Sequence, residues 1–181
     1  MRAFDHQIMG IFHSLAYPIP WSPPGVSLLA ARRMWASTRG AEAVVGILDT
    51  GIDYNHPDLK SNILDGASFI DEEPDYMDRN GHGTHVAGTI AAHGRILGVA
   101  PSARMLVVKV LDRHGSGTYQ GITAGLKYVR EWKGPQGQRV NVVNMSLGGP
   151  EPDKGMYDEI IRTINSGILI VCAAGNEGDG S

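Results

Sequence analysis

The sequence contains a single cysteine and no apolar run long enough to cross a membrane. A membrane-spanning helix needs about 20 predominantly apolar residues, so no transmembrane helix and no membrane partner are expected. One cysteine excludes an intrachain disulfide framework, and the apolar run "GILIVCAAG" predicts that Cys172 is a buried, inert thiol. The net charge of −3 gives no reason to expect a nucleic-acid partner.

The N-terminus lacks the features of a signal peptide. Residues 8–16 are mildly apolar, but charged and polar residues interrupt the region and no small-residue cleavage site is clean. We therefore expect a cytoplasmic location, or export with the leader already removed.

Regular patterning is absent from about the first 40 residues, which contain the closely spaced prolines Pro18, Pro20, Pro23 and Pro24. Proline fixes φ and removes a hydrogen-bond donor, so residues 1–40 are predicted to form an extended arm. A short helix is predicted within "SLLAARRMW", residues 27–35. The chain thus divides into an N-terminal extension, 1–40, and a folded region, 41–181.

From residue 43 onward, apolar runs alternate with segments of helical periodicity. This alternation predicts an α/β fold of three layers, in which helices cover both faces of a mainly parallel sheet. The predicted strands are residues 43–48, 104–111, 140–146 and 167–174, and the predicted helices are residues 83–93, 119–132 and 156–164.

Polar, glycine-rich loops follow the predicted strands, and such loops gather at the carboxyl edge of a parallel sheet. The first of these loops is Asp49-Thr50-Gly51. This tripeptide is compatible with half of an aspartic-protease dyad, with the orienting Asp of a serine-protease triad, or with a turn that has no chemical role. The other loops are residues 112–117, 146–149 and 175–178.

The stretch "DRNGHGTHVAGTIAA", residues 78–92, places His82 and His85 three residues apart. Two histidines on one helical face can share a zinc ion, but the H-E-x-x-H pattern and a cluster of further ligands are absent. Small residues after His82 suit a helix that packs tightly while its first turn presents an imidazole to a cleft. An imidazole beside a carboxylate such as Asp49 is the general-base unit of nucleophilic catalysis.

The motifs "ILDTGID", "HPDL", "NGHGTHVAGTIAA", "GVAPSA", "NMSLGGP" and "AAGNEG" together resemble successive sequence blocks of the subtilisin family of serine proteases. Their order and approximate spacing match over residues 35–180. The segments "VCAAGNEGDG", "SLGGP" and "PPGVSLLAARRMW" further resemble the intracellular branch of that family. The resemblance implies a subtilisin-like fold, incomplete at its C-terminus, and endopeptidase activity on peptide or protein substrates.

The resemblance also implies roles for individual residues. Asp49 matches the triad Asp, His82 the general base, and Asn176 the donor to the oxyanion, whereas His85 is expected to be a packed helix residue. An aspartic-protease interpretation would need a second Asp-Thr/Ser-Gly and a mostly β chain. The residues that match segments flanking a bound peptide or lining its primary pocket are Gly115, Ser116, Gly117, Ser146, Leu147, Gly148, Ala173, Ala174 and Gly175. The small pocket residues imply a broad preference for larger apolar or aromatic side chains.

Three features depart from or extend the family pattern. Only "HGRI" separates Ala92 from Leu97. Many subtilisins have a longer calcium-binding loop at this point, so no metal is assigned to Asp58, although calcium elsewhere in the complete protein stays open. The family's nucleophilic serine lies in a Gly-Thr-Ser-Met-type segment, which this sequence does not contain.

The segment "YPIPW", Tyr17–Trp21, is either an inhibitory strand in the cleft, as in intracellular subtilisins, or a disordered tail.

Two function classes therefore remain open from the sequence. One is a subtilisin-like endopeptidase whose serine comes from a C-terminal fragment or a second chain. The other is an inactive remnant or a peptide-binding module.

Overall fold

The computed structural model describes residues 20–149 and 151–174. Its sheet has five parallel strands in the spatial order β2-β3-β1-β4-β5. The strands are β1 (Val44–Asp49), β2 (Ile63–Ser68), β3 (Arg104–Lys109), β4 (Val142–Met145) and β5 (Leu169–Cys172). The helices are α1 (Pro24–Leu28), α2 (Ala31–Met34), α3 (His82–Ala91), α4 (Tyr119–Glu131) and α5 (Lys154–Asn165).

Helices cover both faces of the sheet, which confirms the predicted three-layer α/β fold. Along β1, Val44 and Leu48 face a core that includes Leu126 of α4, while Val45 and Ile47 face a core that includes α3. Adjacent residues of a strand point to opposite faces, so a strand buried on both faces must be apolar throughout. The continuous apolar runs of β1 and β3 are explained by this double burial.

Strand β2 was not predicted. Its sequence, ILDGAS, lacks an apolar run, because β2 lies at one edge of the sheet and its residues are only partly buried or exposed. The register against β3 also shifts between Ile63 and Asp65. An irregular edge strand carries little of the periodicity from which strands are predicted.

The prediction of an extended arm is wrong for residues 24–26, where α1 begins, whereas α2 lies within the short helix predicted for residues 27–35. Pro24 is the first residue of α1, where the missing proline N–H is not needed. The helix predicted in residues 27–35 is interrupted at Ala30, which has a left-handed backbone conformation with φ of 52°.

Trp21, near the first described residue of the arm, lies beside the loop after α3. Trp21 N donates to Arg95 O at 2.9 Å, and Leu97 N donates to Trp21 O at 2.9 Å. Residues 17–19 lie outside the described residues, so inhibition by the arm stays a prediction. No helix in the described part of the chain is long and apolar enough to cross a membrane.

The prediction of a buried Cys172 is wrong, because its side chain is exposed. It lies at the end of β5, whose residues Leu169 and Val171 are also exposed. Within the described residues β5 pairs with β4 alone, so β5 forms the other edge of the sheet. An apolar run predicts burial only when some other element covers it.

Candidate active site

Asp49 is the last residue of β1 and its side chain has no solvent exposure. Its Oδ1 accepts one hydrogen bond from Thr50 N at 2.7 Å and lies 2.8 Å from Nδ1 of His82. The predicted contact between these two side chains, 33 residues apart in sequence, is therefore present. A buried carboxylate at this distance holds the imidazole ring of His82 in one orientation.

His82 is the first residue of α3, and its side chain is 48% exposed. One edge of the ring thus contacts a buried carboxylate while the side chain remains open to solvent and lines a cleft. This combination suits a general base, which needs a fixed ring and access to a reacting group.

Asp78 organises the first turn of α3. Its Oδ1 accepts hydrogen bonds from Gly81 N and Asn80 N, and its Oδ2 accepts them from Thr84 N and Thr84 Oγ1. Thr50 Oγ1 also donates to Asp78 Oδ1, at 2.9 Å. Burial acts to raise the pKa of Asp78, but the hydrogen bonds from Gly81, Thr84 and Asn80 outweigh it and lower the pKa. The ionised carboxylate thereby links the start of α3 to the turn after Asp49.

The start of α3 lies unusually close to this turn. Gly83 N donates to Thr50 Oγ1 at 2.9 Å, and a Cβ atom on Gly83 would lie 2.1 Å from the carbonyl oxygen of Gly51. Only glycine allows this approach, which brings the ring of His82 within reach of Asp49.

The predicted peptide-flanking segments line the cleft beside His82. Residues 115–117 follow β3 and residues 146–149 follow β4, the strands on either side of β1, and all six predicted strand-flanking residues from Gly115 to Gly148 line the cleft. Three apolar residues that were not predicted as site residues also line the cleft, namely Leu111, Tyr119 and Ile122. Their positions after β3 and in α4 carry only the pattern of ordinary core residues.

The remaining predicted site residues follow β5. Ala173 and Ala174 are exposed and do not line the described cleft, although Ala173 N donates to Met145 O beside Ser146. Gly175 and Asn176 lie outside the described residues. The role of Ala173, Ala174 and Gly175 in the primary pocket stays a prediction, as does the role of Asn176 as a donor to the oxyanion.

Asp58 is a buried carboxylate that accepts a hydrogen bond from the backbone of the loop after α3. Ile96 N donates to its Oδ2 at 2.8 Å, and a Cβ on Gly94 would lie 2.0 Å from its Oδ1. The short loop of residues 93–97 therefore packs directly against this carboxylate. Across residues 20–149 and 151–174 there is no group of three or more His, Cys, Asp or Glu side chains placed to hold a metal ion. Whether this carboxylate binds calcium stays open, as in the expectation from the sequence, and no metal is assigned to it.

Glu73 is a further buried carboxylate, and its burial was not predicted from the sequence. Its side chain is 3% exposed, and Lys109 Nζ lies 3.0 Å from its Oε2. Its Oε1 accepts hydrogen bonds from Arg113 N at 3.1 Å and Arg113 Nε at 2.9 Å. Burial acts to raise the pKa of Glu73, but the hydrogen bonds from Arg113 and Lys109 outweigh it and lower the pKa to about 2.

We expect Glu73 to make the stability of the protein fall in acid. A pKa of about 2 in the folded state, against 4.5 ordinarily, means that the unfolded chain binds this proton first as the pH falls. The contribution of Glu73 is complete above about pH 4.5 and is lost progressively towards pH 2. Urea unfolding at pH 6 and pH 3.5 should show a smaller decrease in midpoint for Glu73→Gln than for the wild type.

The matched control is Glu72→Gln, which neutralises the exposed neighbouring carboxylate and should retain the wild-type pH dependence. An identical pH dependence for wild type and Glu73→Gln would contradict the prediction.

A carboxylate–imidazole pair at the carboxyl edge of a parallel sheet is the general-base unit of serine hydrolases. Comparison with known families identifies the chain more closely. The family model described as "Subtilase family" (peptidase S8) matches residues 40–181. The chain therefore belongs to the subtilase family.

Curated relatives agree with this assignment. The chain is 46% identical over 165 residues to the "Intracellular serine protease" of Paenibacillus polymyxa. This match covers 87% of this chain and 49% of that protein. It is 46% identical over 167 residues to the "Major intracellular serine protease" of Bacillus subtilis (strain 168), covering 87% and 50% respectively. "Subtilisin DY" of Bacillus licheniformis is 44% identical over 160 residues, covering 86% of this chain and 56% of that protein. The chain spans about half the length of these relatives.

Proposed function

We propose that this chain supplies the Asp–His half of a serine endopeptidase active site. Asp49 orients His82, His82 takes the proton from a nucleophilic serine, and Asn176 donates to the developing oxyanion. The serine belongs to a segment outside residues 1–181, in a longer polypeptide or in a second chain. The observation that carries the proposal is the 2.8 Å contact between Asp49 Oδ1 and His82 Nδ1 at the wall of a cleft.

The substrate in this proposal is an extended peptide segment of a protein. Residues 115–117 and 146–148 both line the cleft and follow the strands on either side of β1, so a peptide lying between them would pair through its main chain. Main-chain pairing gives affinity that depends little on sequence, and the apolar side chains Leu111, Tyr119 and Ile122 favour an apolar side chain in the substrate. The names of two relatives support an intracellular location.

Labelling with a fluorophosphonate, which reacts with activated serines, tests the proposal. Residues 1–181 alone should not be labelled, because loss of the nucleophile from such a triad costs about a million-fold in turnover, as in subtilisin itself. The completed protein, meaning residues 1–181 together with a serine-bearing C-terminal segment, should be labelled stoichiometrically and should hydrolyse peptides.

Stoichiometric labelling of a serine within residues 1–181 would contradict the proposed nucleophile. A completed protein that binds peptides without labelling or hydrolysis would instead indicate a peptide-binding module.

A further inference from the structure

The segment of residues 113–117, whose last three residues line the cleft, is fixed by two kinds of contact. Within the loop, Asp112 Oδ1 accepts hydrogen bonds from His114 N at 2.7 Å and Ser116 N at 3.0 Å. These bonds join neighbouring residues, so they define the shape of the loop. They do not define where the loop lies relative to the rest of the cleft.

Three hydrogen bonds join this segment to two other parts of the chain, and all three are made at Arg113. Glu73 Oε1 accepts from both Arg113 N and Arg113 Nε, and Asn80 Nδ2 donates to Arg113 O at 3.0 Å. The bond from Nε is charge-assisted and its acceptor is buried, so it is the stronger type of contact. The position of residues 113–117 therefore depends substantially on Glu73.

The other oxygen of Glu73 lies beside Lys109, which connects it to the turn after Asp49. Lys109, which is fully buried at the end of β3, places Nζ 3.0 Å from Glu73 Oε2. The same Nζ donates to Thr50 O at 2.6 Å, and Thr50 is the residue directly after Asp49. One buried carboxylate thus contacts both the substrate side of the cleft and, through Lys109, the turn that carries the orienting Asp.

We propose that the Glu73–Arg113 pair positions residues 113–117 relative to Asp49 and His82, so that an extended peptide lies in register with the reacting groups. The proposal rests on the proposed function, because the position of residues 113–117 affects hydrolysis only if a substrate peptide binds along them. Glu73 and Arg113 are positioning residues, since neither is required to contact the scissile bond.

The test compares Arg113→Met with Arg79→Met in the completed protein. Both arginines are partly exposed cations near Glu73, but Arg79 lies 3.7 Å from it and pairs mainly with Asp75. Arg113→Met removes the charge-assisted bond to the buried carboxylate of Glu73, so it should raise KM for a tetrapeptide amide by up to about tenfold. Its kcat for a single-residue ester should not change, because that substrate does not reach residues 113–117. Arg79→Met should behave as the wild type with both substrates.

Hydrogen exchange of the amides of residues 113–117 provides a readout that does not depend on activity. These amides should exchange about tenfold faster in Arg113→Met than in wild type, and at the wild-type rate in Arg79→Met. Equal exchange in the two variants, or equal losses on tetrapeptide and ester, would overturn the positioning role. A wild-type completed protein that hydrolyses neither substrate would refute the proposed function, and the exchange rates would still decide whether Arg113 positions the segment.

Discussion

Replacement of Asp49 with Asn in the completed protein is expected to lower kcat for peptide hydrolysis by about 10⁴-fold. Asn has nearly the same shape as Asp, but it has no negative charge to stabilise the imidazolium form of His82. Its amide group also favours the wrong tautomer of the ring. The change should be read from initial rates on a peptide amide at saturating concentration.

The fold should survive this replacement. Asp49 is fully buried, and its Oδ2 has no hydrogen-bond partner among the described residues, so neutralisation removes a charge that is costly to bury. The control is Asp53→Asn, since Asp53 caps the neighbouring turn through Asn55 N and does not line the cleft. It should retain a rate close to that of the wild type. A rate for Asp49→Asn within tenfold of the wild type would contradict the role of Asp49.

Replacement of Gly83 with Ala is expected to destabilise the protein by roughly 3 kcal/mol, in the upper range for overpacking. The added Cβ would lie 2.1 Å from Gly51 O and 3.1 Å from Asp49 Oδ1, so α3 or the turn must move. The turn has little freedom, because Gly51 has a φ of +98° and Ile52 N is bonded to Tyr76 O. Movement of α3 displaces His82 from Asp49, and a displacement of about 1 Å can cost 100-fold in rate. Urea unfolding and peptide hydrolysis measure the two effects.

Gly88→Ala is the matched control, because Gly88 lies in the same helix. A Cβ there meets no described atom within 4 Å. Alanine is favoured over glycine inside a helix by about 1 kcal/mol, so this variant should be as stable as the wild type or slightly more stable. Equal stability of the Gly83→Ala and Gly88→Ala variants would show that α3 does not approach the turn as closely as described.

The contact between Asp49 and His82 could be predicted from the sequence because each residue stands at a boundary of a strongly patterned element. Asp49 ends an apolar run, and His82 begins a segment of small residues. Parallel strands place their carboxyl ends at one edge, so residues at such boundaries meet there even when far apart in sequence. The edge strand β2 and the helix α1 lack this patterning, and neither was predicted.

The sequence by itself determined where four of the five strands lie along the chain, the family and the positions of Asp49 and His82. These depend on local periodicity and on motifs, which are properties of the chain read in order. It did not reveal the role of Glu73, because Glu73 ends the acidic run Asp71-Glu72-Glu73, which has the pattern of a solvated surface loop. Only the tertiary structure buries this carboxylate between Lys109 and Arg113, at the end of β3 and in the loop that follows it. Burial and ion pairing depend on which distant residues the fold brings together, and a charge in a sequence carries no record of its partner.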